Sequence, residues 1–518
     1  MMPGTDGNGA DKAADGRPNI LIVMADQLGA RALPAYGNQV ALTPNIDALA
    51  AGGVVFDNAY CNSPLCGPSR YVFMSGQLPS AIGAFDNAAE FPAMLPSFAH
   101  HMRAAGYRTI LSGKMHFCGP DQMHGFEERL TTDIYPADFG WTPDWTDFAT
   151  RPSWYHDMSS VREAGLCVRT NQMDYDDEVV FAARQKLFDL ARDDDGRPFC
   201  MVVSLTHPHD PFAMTEEYWN LYDHDAIDMP RVRTAPASMD PHSLRLRHVS
   251  NMDNEPVTEA QVRNARHAYY AAISFVDRQL GRLRETVEAC GLAARTVTVM
   301  TADHGELLGE HGLWYKMSFF EDACRIPLIV HAPGRFAPAR VGAAVSSVDM
   351  LPTLVGLGGG RIPAGLACDG TSLLGHLEGR GGHDGAFGEY LAEGAIAPIV
   401  MIRRGRHKFI HCPADPDQLF DLEADPDERA NLAAAPEHAA LVAAFRAEVA
   451  ARWDLDAVHR AVLASQARRR FIDAALRQGR RKSWDFQPFV DASEQYMRNH
   501  MRLGDLEKRA RFPRPAGD

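Results

Sequence analysis

The chain of 518 residues contains no apolar run long enough to cross a membrane. Its hydrophobic stretches, such as 19–25, are far shorter than the roughly 20 residues that a spanning helix requires. Residues 1–16 are rich in Gly, Asp and Ala, and they lack the basic start and apolar middle of a secretory signal. We therefore expect a disordered arm over 1–16, no membrane partner and a cytoplasmic location.

Basic residues are also scarce, since 52 Lys and Arg stand against 67 Asp and Glu, a formal net charge of -15. A surface this acidic repels phosphate backbones, so we expect no nucleic-acid partner. The nine cysteines are odd in number and show neither CxxC nor zinc-finger spacing. Reduced, unpaired thiols are typical of a cytoplasmic protein.

Short apolar runs repeatedly end in polar side chains that can bind ligands. The three clearest runs stop just before functional residue types, at Asp26, at His207 and at Asp303. Such runs are typical of buried parallel strands, and helical patterns separate them, for example over 97–105, 177–191 and 259–290. This alternation predicts an α/β sandwich with its active groups along one edge of the sheet.

The pattern changes near Gly388, where short alternating runs and a helical stretch over 436–453 predict a small antiparallel sheet plus a helix. The segment 457–518 combines an Arg-rich helical pattern over 467–480 with aromatics too numerous for a free tail. We divide the chain into the arm (1–16), a catalytic domain (17–387), a smaller C-terminal α+β domain (388–456) and an extended C-terminal tail (457–518). The tail is expected to pack on the body or on another subunit.

The most informative motif is the pentapeptide Cys66-Gly67-Pro68-Ser69-Arg70. With it, the sequence resembles the sulfatase family of the alkaline-phosphatase superfamily, whose C-x-P-S-R cysteine is oxidised after translation to formylglycine (3-oxoalanine). Other matching segments follow in the family's order, from about Pro18 to about Phe512: Asp26-Gln27, Gly113 to His116, Thr206 to His209, Thr301 to Gly305, Lys316 and Asp425 to Leu432. The resemblance implies a large mixed central sheet sandwiched by helices and a formylglycine-generating enzyme as maturation partner.

A finer resemblance is to the choline sulfatases. It is carried by the segments 113–125, 130–144 and 496–501, which are not general sulfatase features. This resemblance implies hydrolysis of choline-O-sulfate to choline and sulfate, a sulfuric ester hydrolase activity. Together with the tail's aromatics it also implies a homo-oligomer, a dimer or tetramer.

The chemistry explains why Cys66 would be modified. A cysteine at neutral pH is mostly protonated and a weak nucleophile. One hydroxyl of an aldehyde hydrate can instead attack sulfur, and the second can then expel sulfate by regenerating the aldehyde.

Four residues that follow two separate strands, Asp26, Gln27, Asp303 and His304, predict a metal site together with Cys66. Two carboxylates brought together near a nucleophile repel each other unless a cation lies between them. The more common sulfatase set has Asp and Asn where this chain has Gln27 and His304. Oxygen ligands favour calcium, with magnesium and, because of the imidazole, manganese as alternatives.

Three basic side chains supply positive charge for the sulfate oxygens, namely Arg70, Lys114 and Lys316. By resemblance, Arg70 and Lys114 hold the formylglycine and Lys316 holds sulfate. His207 is the candidate general acid, with Lys316 as the alternative, and His116 is the candidate base. We assign no role to His209.

Three tryptophans fall within fourteen residues, at 141, 145 and 154, with Tyr155 and Asp157 beside the last. Aromatic faces with a carboxylate are what a quaternary ammonium requires, although a loop anchored by its own aromatics would look the same. By resemblance, the trimethylammonium contacts are Trp141, His156 and Glu393.

Two other functions remain open at this point. One is a phosphonate monoester or phosphodiester hydrolase of the same superfamily, which shares the Gln and His variations. The other is an unmodified choline-binding or metal-binding protein without activity.

Overall fold

The computed structural model describes residues 16–193, 195–488 and 501–509. These residues form fifteen strands: β1 Asn19–Asp26, β2 Val54–Tyr60, β3 Arg108–Gly113, β4 Glu128–Arg129, β5 Gly165–Cys167, β6 Phe199–Pro208, β7 Ala213–Thr215, β8 Thr296–Ala302, β9 Arg325–Ile326, β10 Leu328–His331, β11 Ala339–Ser346, β12 Ala386–Tyr390, β13 Ile399–Arg404, β14 His407–Cys412 and β15 Asp415–Asp421.

The α-helices of the described residues are α1 Pro44–Gly52, α2 Cys66–Ser75, α3 Pro79–Ile82, α4 Phe98–Ala104, α5 Ser159–Arg162, α6 Asn171–Arg192, α7 Glu216–Trp219, α8 Pro241–Val249, α9 Glu259–Ala289, α10 Glu321–Cys324, α11 Met350–Leu357, α12 Leu374–Leu377, α13 Ala439–Arg452, α14 Leu455–Leu476 and α15 Leu503–Arg509. None of these helices combines the length and apolar composition needed to cross a bilayer.

The main sheet has the strand order β11-β2-β10-β8-β1-β6-β3-β4, with β9 paired to β2. Strand β1 runs parallel to both β6 and β8, whereas β10 is antiparallel to β8 and β2, so the sheet is mixed. Helices α6 and α9 pack on β6 and on each other, and α2, α4 and α11 form a second group. The large mixed sheet between helices that we expected is confirmed.

The register of the central strands brings two predicted site residues to one edge. Ala25 at the end of β1 pairs with Ala302 at the end of β8, so Asp26 and Asp303 follow side by side. All eight residues of β1 are buried. A continuous apolar strand of this kind is covered on both faces, which fixes the positions of the polar groups at its carboxyl end.

The small domain is a four-stranded antiparallel sheet, β12-β13-β14-β15, covered by α13. Phe409 of β14 stacks on Phe445 of α13 with ring centroids 5.2 Å apart. The first strand of this sheet begins at Ala386 and therefore spans the predicted boundary at 387/388.

The helix predicted over 467–480 is the second half of the longer helix α14, which begins at Leu455 and ends at Leu476. Its start is fixed by Asp454, whose side chain accepts a hydrogen bond from the backbone N–H of Ala457. The tail aromatics Phe489 and Tyr496 lie outside the described residues.

Candidate active site

Cys66 lies at the first turn of the buried helix α2, beside the carboxyl ends of β1 and β8. Its Sγ is 3.1 Å from His304 Nε2 and 3.9 Å from Asp26 Oδ1. The side-chain oxygen of Asn87 accepts the backbone N–H of Gly67 at 2.8 Å and so holds the first turn of the helix. The thiol therefore faces the polar end of the sheet from a rigid support.

Arg70, one turn further along α2, joins the two carboxylates of the site. Its Nε donates to Asp303 Oδ2 at 2.9 Å and its Nη2 to Asp26 Oδ2 at 3.1 Å. Its Nη1 donates to Ser204 Oγ at 2.8 Å on strand β6. All three charged side chains are fully buried.

Lys114 Nζ forms a second ion pair with Asp26 and lies over the Tyr135 ring, 4.6 Å from its centroid. Gly113 makes this approach possible: it has φ +108°, and a Cβ there would lie 2.0 Å from the carbonyl oxygen of Ser204. Burial alone would raise the pKa of Asp26, but the charges of Lys114 and Arg70 hold it well below its usual value.

One ligand atom from each of Asp26, Cys66, Asp303 and His304 fits within 4.8 Å of the others. Both carboxylates form ion pairs with Arg70. Burial lowers the pKa of His304, which favours the neutral imidazole that metals bind. These donors fit a divalent cation of the calcium, magnesium or manganese type.

The amide of Gln27, predicted as the remaining ligand, is hydrogen-bonded to three side chains. Its Oε1 accepts from Lys316 Nζ at 2.5 Å, and its Nε2 donates to Glu306 and, at 3.4 Å, to Asp210 Oδ1. Gln27 has φ +66°, in the left-handed region that non-glycine residues rarely adopt.

His116 lines the cavity above Cys66 and has one ring nitrogen without a partner. Its Nε2 is 3.0 Å from the carbonyl oxygen of Asn87, and because a carbonyl only accepts, Nε2 carries the proton. The lone pair is then on Nδ1. Burial, reinforced by the charge of Lys114, lowers the pKa of His116 to about 4, so the ring is neutral at neutral pH.

The structure corrects the assignment of the histidine near Lys316. His207 does not line the cavity: its Nδ1 is 2.7 Å from Asp176 Oδ2, and its ring packs edge-on against Phe275 of α9. His209 does line it, and its Nε2 is 2.8 Å from Lys316 Nζ. The physical reason is an irregularity of register, since Ala25 pairs with Leu205 but Asp26 pairs with Pro208.

The protonation of His209 follows from its partners. Its Nδ1 is 2.7 Å from the carbonyl oxygen of Asp210, so Nδ1 donates and Nε2 accepts from the Lys316 ammonium. The residues on both sides of Lys316, Tyr315 and Met317, have φ +70° and +71°. The loop is thus held in an uncommon conformation that points Lys316 at Gln27 and His209.

A cavity of about 290 Å³ opens over these groups. Its lining contains every predicted trimethylammonium contact, namely Trp141, His156 and Glu393, together with Trp154, Tyr155, Asp210 and Pro211. Burial raises the pKa of Glu393 to about 7, with the Asp86 charge adding to the shift and Lys316 opposing it. The cavity therefore combines the cationic groups of Lys114 and Lys316 with aromatic rings and the carboxyl group of Glu393.

Two residues of the aromatic segment point elsewhere. The indole N–H of Trp145 donates to the carbonyl oxygen of Ala392 at 2.9 Å inside the core. Asp157 Oδ1 accepts from Ser159 in its own turn. The acids that line the cavity are Asp210 and Glu393, the latter more than two hundred residues from Asp157 in the chain, and Asn87 and Tyr135 also belong to the lining.

One edge of the mixed sheet holds a cysteine, two carboxylates and several buried basic side chains. This arrangement defines a hydrolase of the sulfatase class. The sulfatase family model matches residues 18–360, and the C-terminal model of N-sulphoglucosamine sulphohydrolase matches 309–453. The chain belongs to the sulfatase family, and the resemblance seen in the sequence is confirmed.

The subfamily follows from the remaining comparisons. Residues 460–512 match the model of the choline sulfatase C-terminal segment. The chain is 48% identical to the choline-sulfatase of Rhizobium meliloti (strain 1021) over 96% of this chain and 99% of that protein. It is 30% identical to arylsulfatase K of Bos taurus over 72% of this chain and 68% of that protein.

Among solved structures, a phosphonate monoester hydrolase of Agrobacterium radiobacter is similar, with a TM-score of 0.69 and 26% identity. The match covers 86% of this chain and 96% of that chain. The phosphonate monoester hydrolase of Silicibacter pomeroyi, at 24% identity, has a TM-score of 0.68 and shares the fold over 84% and 94% of the two chains.

Proposed function

We propose that this protein hydrolyses choline-O-sulfate to choline and inorganic sulfate, with Cys66 converted to formylglycine. The observation that carries the proposal is that one cavity is lined by both kinds of group that choline sulfate requires. Cys66, Lys114 and Lys316 would take the sulfate, and Trp141, Trp154 and Glu393 of the same cavity would take a quaternary ammonium. Choline sulfate carries both an anion and a trimethylammonium group.

The modified side chain would lie between Lys114 and His304. As a hydrate, formylglycine supplies one hydroxyl for attack on sulfur and a second whose loss of a proton lets sulfate leave. Sulfatase membership implies a divalent metal beside it, which we assign to Asp26, Asp303 and His304 with residue 66 and Gln27, and for which calcium is our first choice. The metal would supply a positive charge that favours the ionised hydroxyl.

The remaining side chains orient charge and move protons. Arg70 fixes the two carboxylates, and Lys114 and Lys316 provide positive charge to the sulfate oxygens. His116 Nδ1 is placed to accept a proton from residue 66, because its lone pair is unpartnered and the ring is neutral. Lys316, whose ammonium donates to His209 Nε2, is placed to protonate the departing choline oxygen, and His209 orients it.

A phosphonate monoester is the second candidate substrate, and the similarity to the Agrobacterium radiobacter enzyme favours it. A phosphonate ester bearing no cation would leave the Glu393 carboxyl without a cationic partner. The third reading, an unmodified binding protein, is separated from both by the state of residue 66.

The deciding experiment assays the purified protein on choline-O-sulfate, nitrophenyl sulfate and a phenyl phosphonate ester. Metal content and the mass of the peptide containing Cys66 are measured on the same sample. We expect the highest kcat/KM on choline-O-sulfate and a peptide about 18 Da lighter than the unmodified form. Loss of turnover in a folded Cys66→Ala variant is the control. A higher kcat/KM on the phosphonate, or an unmodified thiol in active protein, would contradict the proposal.

We also propose a formylglycine-generating enzyme as the maturation partner and a cytoplasmic setting. The nine cysteines are all free thiols in the structure, and six of them are buried: Cys61, Cys66, Cys118, Cys200, Cys324 and Cys412. Such thiols are typical of reducing compartments.

A further inference from the structure

Helix α14 lies against the outside of the cavity wall, on the side of Trp141 and Glu393. Arg469, on the buried face of this helix, makes a two-pronged ion pair with Asp86: Nη1 to Oδ1 at 2.6 Å and Nη2 to Oδ2 at 2.7 Å. Its Nη1 also donates to Thr142 Oγ1 at 3.2 Å. The guanidinium thus joins two loops that are far apart in the chain.

Both partners of Arg469 are direct neighbours of cavity residues. Asp86 precedes Asn87, and Thr142 follows Trp141. The Arg469 and Asp86 side chains are 5% and 0% exposed, so the pair is shielded from water, where a charged hydrogen bond is strong and its loss is costly.

A second contact from the same helix reaches Glu393. The side-chain oxygen of Gln466 accepts the backbone N–H of Trp145 at 3.0 Å. The indole of Trp145 in turn donates to the carbonyl oxygen of Ala392, the residue before Glu393. Helix α14 therefore supports the Trp141 loop and the Glu393 segment through one row of buried residues.

The charged groups around Cys66 have other supports. Asp26 ends β1 and Asp303 follows β8, and Arg70 on α2 holds both of them. Lys316 is held by Gln27 and His209. Helix α14 makes none of these contacts; it reaches the site through the neighbours of Trp141 and Glu393, and through Asp86, which precedes Asn87.

We propose that α14 is a specificity element, in which Arg469 is a positioning residue that sets the distance between Trp141 and Glu393 for a quaternary ammonium group. This inference rests on the proposed function and deepens it. Arg469 touches no substrate; it acts through Asp86 and Thr142. Its removal then weakens recognition of the cation while the cleavage of a sulfate ester without a cation continues.

The test compares Arg469→Gln with Arg468→Gln, an exposed arginine one position earlier on the same helix. We expect KM for choline-O-sulfate to rise about tenfold in Arg469→Gln, the size of effect that a desolvated cation–aromatic contact gives. For nitrophenyl sulfate we expect kcat/KM to change by less than about twofold, because the contacts that hold Arg70 and Lys316 do not involve α14. Inhibition of nitrophenyl sulfate hydrolysis by tetramethylammonium should weaken in parallel. Arg468→Gln should match the parent sequence in all three measurements.

Two further variants separate an effect on the position of the cavity residues from an effect on the stability of the protein. Arg469→Gln leaves the Asp86 charge buried and unpaired, so thermal stability should fall; the double variant Asp86→Asn with Arg469→Gln removes that charge and should recover it. The raised KM should persist in the double variant. Gln466→Leu, which leaves the ion pair intact, should raise the same KM to a smaller extent.

The outcomes distinguish the two proposals. If Arg469→Gln loses activity equally on both substrates, or if stability and KM recover together in the double variant, α14 is only a structural support and the inference is overturned. If the protein without substitutions cleaves nitrophenyl sulfate but neither cleaves choline-O-sulfate nor is inhibited by tetramethylammonium, it is the proposed function that fails.

Discussion

Glu393 is the residue whose charge should govern substrate recognition. Its carboxyl, with a pKa raised to about 7 by burial, takes up a proton as the pH falls through neutrality. A neutral carboxyl no longer attracts trimethylammonium, so we expect KM for choline-O-sulfate to rise as the pH falls from about 8 to about 6. KM for nitrophenyl sulfate, which has no cation, should change less over that range. The same pH dependence for both substrates, or its persistence in Glu393→Gln, would contradict this assignment.

His209 and His207 offer a matched pair of variants, since they lie two residues apart and differ in what they contact. His209→Ala removes the acceptor that orients the proton-donating Lys316 and should lower kcat on choline-O-sulfate by up to about 100-fold, the usual contribution of a positioned general acid. A nitrophenolate leaves without a proton, so the loss on nitrophenyl sulfate should be smaller. His207→Ala should lower thermal stability through its Asp176 and Phe275 contacts, with kcat nearly unchanged. The reverse pattern would restore the sequence-based assignment.

The elements around the site show what the sequence could and could not predict. The apolar runs before Asp26 and Asp303 predicted two neighbouring strands, because a strand buried on both faces must be apolar throughout. They could not predict the shift of register between β1 and β6, since it depends on pairing between residues almost two hundred positions apart. That shift places His209, rather than His207, in the cavity.

The aromatic segment shows a similar limit. Trp141 and Trp154 line the cavity, as the aromatic composition of the segment suggested. Trp145 instead faces the core, and Asp157 bonds within its own turn. Composition indicates that a loop carries aromatic and acidic groups, but each side chain's direction depends on packing against Ala392 and α14. The counter-charge came from Glu393, which only the family resemblance indicated.

The contact between the small domain and the loop that carries Lys316 depends on one buried lysine. Lys408 of β14 donates to the carbonyl oxygen of Phe319 and pairs with Glu321 at 3.0 Å and with Glu428 at 2.5 Å. Replacing it with Met leaves two buried carboxylates without their cation, which should cost about 3–5 kcal/mol. Urea unfolding checks this, and Arg404→Met, which removes a surface ion pair with Glu448, should shift the midpoint little. Equal shifts in the two variants would contradict the claim.

At the scale of the whole molecule, the described part of the tail packs on its own chain. Besides the Arg469 pair, Arg481 pairs with Asp138 and the Trp484 ring meets the Phe139 ring at 4.9 Å. The first half of the tail is thus packed on its own subunit. Contacts with a second subunit, predicted from the tail's aromatics, remain a prediction, and the aromatics Phe489 and Tyr496 lie outside the described residues.

Because the first half of the tail packs on its own subunit, the predicted oligomer can be tested by deleting only the second half. A net charge of -15 opposes association, so a stable tetramer of this 57.0 kDa chain requires specific contacts. We expect light scattering to give about four times the chain mass for the full protein, and a smaller species when residues 489–518 are deleted. The shortened protein keeps the Trp484 and Arg469 contacts and should therefore keep its fold by circular dichroism. Deleting residues 1–15 instead should leave the mass of the assembly at four chains. An unchanged assembly after removal of 489–518, or a full-length monomer, would show that the tail serves its own subunit alone.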